Sequence, residues 1–435
     1  MVGESVRRET PVWLPNLADE SWLADVVTAH AAALGVAGPV DSVRLLDARL
    51  THPHRPESAL CRGWATCVVS PRDGAAAELY VKGFPDDDTT EEAWRRDRVT
   101  RPHARSVRLP GHDLVVWPFP DDPHLPSVPI LVDPRRVADV LPPPVREVLG
   151  AGEPRTTVVR YQPEASITLR LDTGGDGAPA VFAKHLADGE VKAAGTRHEA
   201  VWHAARDHDH LRVAEPLATD DHLGVLWTRG VPGLPLTTAV APSELVDLAV
   251  AMGATLAALH RTPTDAPLLT VDALLAEMDK KAGKLSRAHP AVGPTVSRMV
   301  TAAARRRTHV RDEQVVTLHG DFHLDQLVSS DAGPVVVDLD SMVRGAKEVD
   351  LAEFLVDLAL RGLPDDVVRS VGRRLLASYA DAADREIDQA LLETCADAEF
   401  VNRCYRHLRR HANGWQDALT AELERHADVV ALLRG

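Results

Sequence analysis

Val315-Val-Thr-Leu-His-Gly-Asp-Phe-His-Leu-Asp-Gln-Leu-Val-Ser-Ser-Asp-Ala-Gly-Pro-Val-Val-Val-Asp-Leu-Asp340 sets five aspartates, two histidines and a glutamine between runs of valine and leucine. The apolar runs predict two short strands, with the charges gathered where the chain leaves them. In the final strand, Val335-Val-Val-Asp-Leu-Asp340, a period of two sends Asp338 and Asp340 to one face. Adjacent carboxylates repel unless a cation lies between them, and oxygen donors favour a hard divalent ion such as Mg2+, which completes its shell with water and phosphate. Gln326 adds a neutral oxygen from the preceding loop. Asp321 stands apart, after Leu318-His-Gly320, where the glycine permits a tight path. An ionised Asp there can orient a substrate hydroxyl while a metal neutralises charge on a transferring phosphoryl group. Two other readings stay open. These residues could be caps of strand ends and helix starts, or His319, Asp321 and His323 could ligate the zinc or iron of a hydrolase.

Working outward, the chain beyond Pro242 reads as helical. Leu245, Leu248, Ala249, Met252, Leu256 and Leu259 keep one buried face, with Ser243 as N-cap. Further helices are expected near 271–285 and 294–310, and from about 348 to the end. Upstream, Val158 to Tyr161, Ile167 to Leu171 and Val181 to Lys184, with the turn Gly174-Gly-Asp-Gly177, predict an antiparallel meander. A helix carrying Glu199, Val201 and Trp202 follows, and Leu211 to Pro216 and Leu223 to Arg229 continue the sheet. Proline clusters at 117–126 and 141–144 mark a boundary or an ordered crossing. The expected units are 1–150, an N-terminal accessory domain; 151–230, a small sheet lobe; and 231–435, a helical lobe carrying the charged hairpin.

A short echo links the first two units. Val68-Val-Ser-Pro-Arg-Asp-Gly74 before Leu79-Tyr-Val-Lys82 resembles Leu169-Arg-Leu-Asp-Thr-Gly-Gly-Asp-Gly177 before Val181-Phe-Ala-Lys184. It hints at a related small sheet in residues 1–140. The chain has seven lysines against 42 arginines, so two lysines closing similar hairpins stand out.

At 435 residues the chain suits two or three domains. A net charge of −15 argues against nucleic acid or anionic lipid as partner and is compatible with a cationic small molecule. Cys61, Cys67, Cys395 and Cys404 have neither zinc spacing nor a disulfide framework. With no apolar core behind the first methionine and no uncharged run of membrane-spanning length, a cytoplasmic protein is expected.

His319-Gly-Asp321, Gln326, Asp338-Leu-Asp340, Gly345 and Asp350-Leu-Ala352 together resemble the catalytic and metal motifs of the aminoglycoside phosphotransferase family. The resemblance extends over residues 155–435 and implies an α+β, protein-kinase-like fold of two lobes, ATP or GTP with Mg2+ as cofactors, and a small-molecule hydroxyl acceptor. It implies Asp321 as the catalytic residue, Gln326 and Asp338 as metal ligands, and Asp340 as a second-metal or supporting carboxylate. Asp350 would brace the catalytic loop, and His319 would pack within it. Lys184 would take the nucleotide phosphates with Glu199 as its ion-pair partner, rather than Lys82, read as structural or solvated. Pro163, Ala165 and Ser166 fall where the phosphate-covering turn belongs, Leu226-Trp-Thr-Arg229 at the adenine-binding hinge, and Leu256-Ala-Ala-Leu-His260 at a helix end common in the family. Trp227 and Arg229 are the named hinge candidates.

Two departures narrow the branch. The family's usual Asn is Gln326 here, and His-Gly-Asp-x-His-x-x-Gln is similar to maltokinases and bacterial glucosamine kinases, which also carry an N-terminal cap domain. The phosphate turn lacks a glycine-rich signature, so a catalytically silent binding protein is the runner-up. The implied acceptor is a sugar, aminosugar or aminoglycoside-like antibiotic. Glu348, Glu353, Arg403 and Trp415 are candidate contacts, an acidic lining suiting an amine, although Glu399 to Arg410 reads equally as an amphipathic helix with a solvated arginine face.

Overall fold

The structure is a computed structural model describing residues 13–51, 62–175, 177–187, 189–308 and 314–433; residues 1–12, Cys61 and Asp176 lie outside that set. Among the described residues the strands form two five-stranded sheets and two two-stranded ribbons. The first sheet contains β1 (Val40–Thr51), β2 (Arg62–Pro71), β3 (Ala77–Gly83), β4 (Val107–Leu109) and β5 (Leu114–Pro118) in the order β1-β2-β3-β5-β4. The second contains β6 (Arg155–Gln162), β7 (Ser166–Asp172), β8 (Ala180–Leu186), β9 (Pro216–Asp220) and β10 (Val225–Arg229) in the order β6-β7-β8-β10-β9.

The two orders are the same, and every pairing in both sheets is antiparallel. Each sheet also sends one long helix between its third and fourth strands, Asp87–Thr100 in the first and Val191–Ala205 in the second. Lys82 and Lys184 both lie on the third strand, between the second and the fifth. The short echo in the sequence therefore marks a repeated architecture.

Alternation along the strands divides the second sheet into two faces. Ile167, Leu169, Leu171, Val181, Ala183, Val225 and Trp227 pack with Leu125 and with Val128, Leu131, Val137, Val145 and Leu149 from the short helices that precede the sheet. Thr168, Arg170, Phe182, Lys184, Leu226 and Thr228 face the opposite way, into a cleft. The proline-rich segment expected to close an N-terminal unit at residue 150 thus gives its apolar side chains to the second sheet. The first sheet has its own core, around Trp13, Leu23, Leu50, Leu79 and Val116.

The third body is helical, with a core that includes Met252, Leu256, Phe322, Phe354, Leu375 and Phe400. Its central helix, Pro242–Arg261, begins two residues earlier than a Ser243 cap requires: Pro242 takes the first turn and Glu244 accepts from the Ala241 amide at 2.9 Å. By length and composition alone this helix is apolar enough to cross a membrane, although Glu244 and Asp247 interrupt its apolar run. Leu245, Ala249, Met252, Leu256 and Leu259 are buried in the lobe, where the helix packs against helix Asp365–Ala383, while Leu248 is half-buried and Val250 exposed. Cys67 and Cys404 are buried free thiols, and Cys395 is buried as well.

Candidate active site

The charged hairpin is built on β11 (Val315–Leu318) and β14 (Val343–Ala346), which pair antiparallel, and on the shorter pair β12 (Leu327–Val328) and β13 (Val335–Val336). As the chain leaves β11, Gly320 adopts φ +79°, and a Cβ there would lie 2.3 Å from the Ser341 carbonyl oxygen. Only glycine passes that point without a shift of backbone. The fully buried Asp350 holds the same loop, accepting from the amides of His319 at 2.7 Å and Gly320 at 3.0 Å. His260 Nε2 lies 3.1 Å from Asp350, and its Nδ1 lies 2.7 Å from the Tyr379 hydroxyl. Glu353 accepts from the Phe322 amide at 3.1 Å, on the other side of Asp321.

Asp321 is thereby presented from a rigid loop with its carboxylate open to the cleft. Gln326 Nε2 donates to its Oδ2 at 3.2 Å, and His323 Nε2 lies 3.5 Å away. Burial pushes the Asp321 carboxyl up, but His323, His319 and Gln326 together hold it well below the usual carboxylate range. The side chain is ionised at neutral pH and ready to accept a proton or a hydrogen bond.

Asp338 and Asp340 meet as expected, although not by strand alternation. β13 ends at Val336, Asp338 takes left-handed angles (φ +64°, ψ +53°), and Leu339–Ser341 form a 3₁₀ turn. The kink and the turn bring the two carboxylates together. Lys184 Nζ bonds both, Asp340 at 2.8 Å and Asp338 more closely. Burial opposes the Lys184 ammonium, and the pair of carboxylates outweighs it, raising its pKa. Burial and the neighbouring Asp338 push Asp340 up to about 6.

The Asp338 and Asp340 carboxylates offer the kind of oxygen donors that suit Mg2+, and Gln326 lines the same cleft with its Nε2 engaged by Asp321. The competing transition-metal reading loses its ligands. His319 Nε2 donates to the Val337 carbonyl at 3.0 Å and its ring packs edge-on to Phe322, while His323 Nδ1 accepts from the Asp325 amide at 3.3 Å. No group of three or more His, Cys, Asp or Glu among the described residues is placed to hold a metal ion.

Several other expected contacts lie elsewhere. Glu199 is exposed on helix Val191–Ala205, and the ion pairs of Lys184 are to Asp338 and Asp340. One residue along a helix is a rotation of about 100°, and it is His198 that lines the cleft, buried and 2.7 Å from the Ala214 carbonyl oxygen. Glu199→Gln is accordingly expected to leave the Michaelis constant for nucleotide within about twofold, as for other surface changes, measured by steady-state kinetics.

The Trp227 side chain points away from the cleft, which leaves only its backbone to serve as a hinge contact. It is fully buried on the far face, so Leu226 and Thr228 present side chains to the cleft and Trp227 supports the sheet from behind. Arg229 does reach the cleft and pairs with Glu215 at 2.5 Å. Ser166 begins β7 on the same side as the cleft-lining Thr168 and Arg170, beyond the lining itself.

The proposed acceptor contacts are mostly structural. Glu348 is buried, pairs with Lys347 at 3.0 Å and accepts from the Asp388 amide at 3.1 Å. Glu353 is spent on Phe322, and Arg403 on Glu399 at 2.7 Å and Asp357 at 2.8 Å. Trp415 stacks near His411 and His289, on the helical core. The helix Gln389–Arg410, which carries Arg403, instead sends Arg406, Arg409 and Arg410 to a cleft of about 1000 Å³. The sequence displayed these arginines but not their phase relative to the cleft.

The turn Pro163–Ala165 is held by residues outside the second sheet. Glu164 has φ +64°, its amide donates to Asp122 at 3.0 Å, and its carboxylate pairs closely with Lys82 of the first sheet. Tyr161 donates to the same Asp122 carboxylate at 2.8 Å. Lys82, expected to be structural or solvated, is thus structural: it latches the turn that would cover nucleotide phosphate. Loss of one hydrogen bond to a charged group implies a rise of roughly three- to tenfold in the nucleotide Michaelis constant for Lys82→Ala, with kcat little changed in the same kinetic assay.

Lys184 of the second sheet thus meets Asp338 and Asp340 across a cleft that also takes the separate loop carboxylate of Asp321. Residues 164–392 match APH, the phosphotransferase enzyme family, and the chain belongs to that family. It is a small-molecule phosphotransferase of the two-lobed, α+β, protein-kinase-like fold. Similar solved structures include an aminoglycoside-3'-phosphotransferase of type VIII, 20% identical over 57% of this chain and 93% of that one, with a TM-score of 0.40. Macrolide 2'-phosphotransferase MphH from Brachybacterium faecium is 14% identical over 62% and 91%, with a TM-score of 0.42. Amicoumacin kinase hAmiN, in complex with AMP-PNP, Ca2+ and Ami, is 12% identical over 69% and 95%, with a TM-score of 0.48. No curated protein matches the chain's sequence.

Proposed function

We propose that this protein transfers the γ-phosphoryl group of ATP, in a Mg2+-dependent reaction, to a hydroxyl of a sugar-like small molecule in the cytoplasm. The reading rests on one observation: Asp321 and the Lys184–Asp338–Asp340 cluster open into the same cleft. Asp321 accepts the hydrogen bond of the acceptor hydroxyl and aims its oxygen at phosphorus; the new O–P bond forms as the bond to the ADP oxygen breaks, and the hydroxyl proton leaves by way of Asp321. Lys184 reaches the nucleotide phosphates from β8. Asp338, Asp340 and Gln326 would hold Mg2+, which would supply neutralising charge at the phosphates. Asp350 and Glu353 fix the loop, so that the position of Asp321 is set before substrate arrives.

Incubation with ATP and Mg2+ across neutral sugars, aminosugars, sugar acids, sugar phosphates, aminoglycosides and macrolides, read by mass spectrometry, tests the assignment. One acceptor class is expected to gain one phosphate with an equal yield of ADP. ATP binding without phosphate on any acceptor would favour the catalytically silent reading instead.

A further inference from the structure

The cleft is more basic than a chain of net charge −15 suggests. Its lining carries eight arginine and lysine side chains against four aspartates. Lys184, Arg170 and Arg229 are paired with carboxylates on the nucleotide side. The remaining five converge from three separate parts of the chain: Arg49 on β1, Arg160 on β6, and Arg406, Arg409 and Arg410 on helix Gln389–Arg410.

These five have few anionic partners. Among the described residues, Arg160, Arg409 and Arg410 form no ion pair, and Arg406 only approaches Glu399 at 3.8 Å, a carboxylate already bonded to Arg403 at 2.7 Å. Arg49 is 3.6 Å from Asp47, donates to Gln162 at 3.0 Å and lies over the Trp64 ring. Burial first, and then Arg409, with Arg160 and Arg410, depress its pKa to about 10 against the pull of Asp47. The arginines of the first sheet, the second sheet and the helical lobe are therefore near enough to repel one another.

The helical lobe sets Arg406 on the acceptor side. The electrostatic neighbours of Arg406 include Asp321, so a hydroxyl held by Asp321 directs the rest of the acceptor toward the arginine-bearing helix. Gathered guanidinium groups disfavour an amine and match the oxygens of a phosphate or carboxylate, to which they donate in pairs. The geometry points to an acceptor that already carries an anionic group, a phosphate monoester or a carboxylate, held between Arg49 of the first sheet and Arg406, Arg409 and Arg410. This inference rests on the phosphotransfer reading and replaces the cationic acceptor expected from sequence. It also gives the first sheet a role in recognition.

Calorimetric titration of the full chain tests it, with the nucleotide position filled beforehand by Mg2+ and a non-hydrolysable ATP analogue so that the anions do not compete for that position. Glucose, glucosamine, glucuronate and glucose 6-phosphate are the probes. The better of the two anions is expected to bind at least about tenfold more tightly than glucose, the worth of one hydrogen bond to a charged group, with glucosamine weakest. Whether glucuronate or glucose 6-phosphate leads identifies the anion. In Arg409→Ala/Arg410→Ala the preference should fall to within about twofold, the limit of a spectator surface change, and Arg409→Lys/Arg410→Lys should retain more of it. Analogue affinity should be the same in all three proteins, which reports an intact fold. Glucose or glucosamine binding as tightly as the anions, absence of anion binding, or a preference that survives the alanine variant would overturn the inference. Failure of the wild-type protein to bind the analogue would instead remove the phosphotransfer reading itself.

Discussion

Asp321→Asn is expected to lower kcat by about 10²–10⁴, the usual contribution of a positioned general base, while nucleotide affinity stays close to wild type. The amide keeps the size of the side chain and leaves Gly320, Asp350 and the loop path untouched. It loses the charge that draws the acceptor proton. Gln326 Nε2, which donates to Asp321 at 3.2 Å, would face either the amide oxygen or a second NH2 group, so a small rearrangement at Gln326 accompanies the change. Single-turnover phosphate transfer and calorimetric nucleotide binding separate the two effects. Turnover at the wild-type rate would exclude Asp321 from the chemistry.

Asp350→Ala should act on stability. The carboxylate accepts from two loop amides and meets His260 in a fully buried position, so its removal leaves three polar groups without their acceptor. Breaking a buried charged network of this kind costs about 3–5 kcal/mol. The effect is expected in denaturant unfolding followed by circular dichroism, and in faster hydrogen exchange at the His319 and Gly320 amides. Unchanged exchange at those two amides would show that the loop is held by other means. Activity should fall as well, since the rigidity of Asp321 depends on the same bonds. Asp321→Asn, at a side chain partly open to the cleft, should cost less in unfolding than Asp350→Ala while costing more in turnover, so the pair separates chemistry from architecture.

The sequence carried the polar loop well and the side-chain phases poorly. Asp321, Gln326, Asp338 and Asp340 were legible because chemically costly residues were set among apolar ones at the ends of short strands. The cause of the Asp338–Asp340 pairing was not legible, because a left-handed residue followed by a 3₁₀ turn leaves no mark in a run of valines and aspartates. Glu199 and Trp227 illustrate a second limit. Each was assigned to the right element, but a shift of one residue on a helix or strand exchanges cleft for solvent or core, and His198, Leu226 and Thr228 took the inward positions. Arg49 and Asp122 were invisible for another reason. Their roles arise from contacts over 39 to 113 residues of chain, as between Asp122 and Tyr161 or Arg49 and Gln162, which no local pattern encodes.

The repeated sheets bear on how the molecule must respond to a ligand. Lys82 on the third strand of one sheet grips Glu164 in the turn of the other, just as Lys184 on the third strand of that other sheet meets Asp338 and Asp340. The two lysines form successive links of one chain of charge, from the first sheet through the second to the helical lobe. A ligand that orders the turn must then tighten the first sheet's hold on it, and whatever loosens that hold must weaken the ligand by the same factor, because a coupling free energy acts equally in both directions.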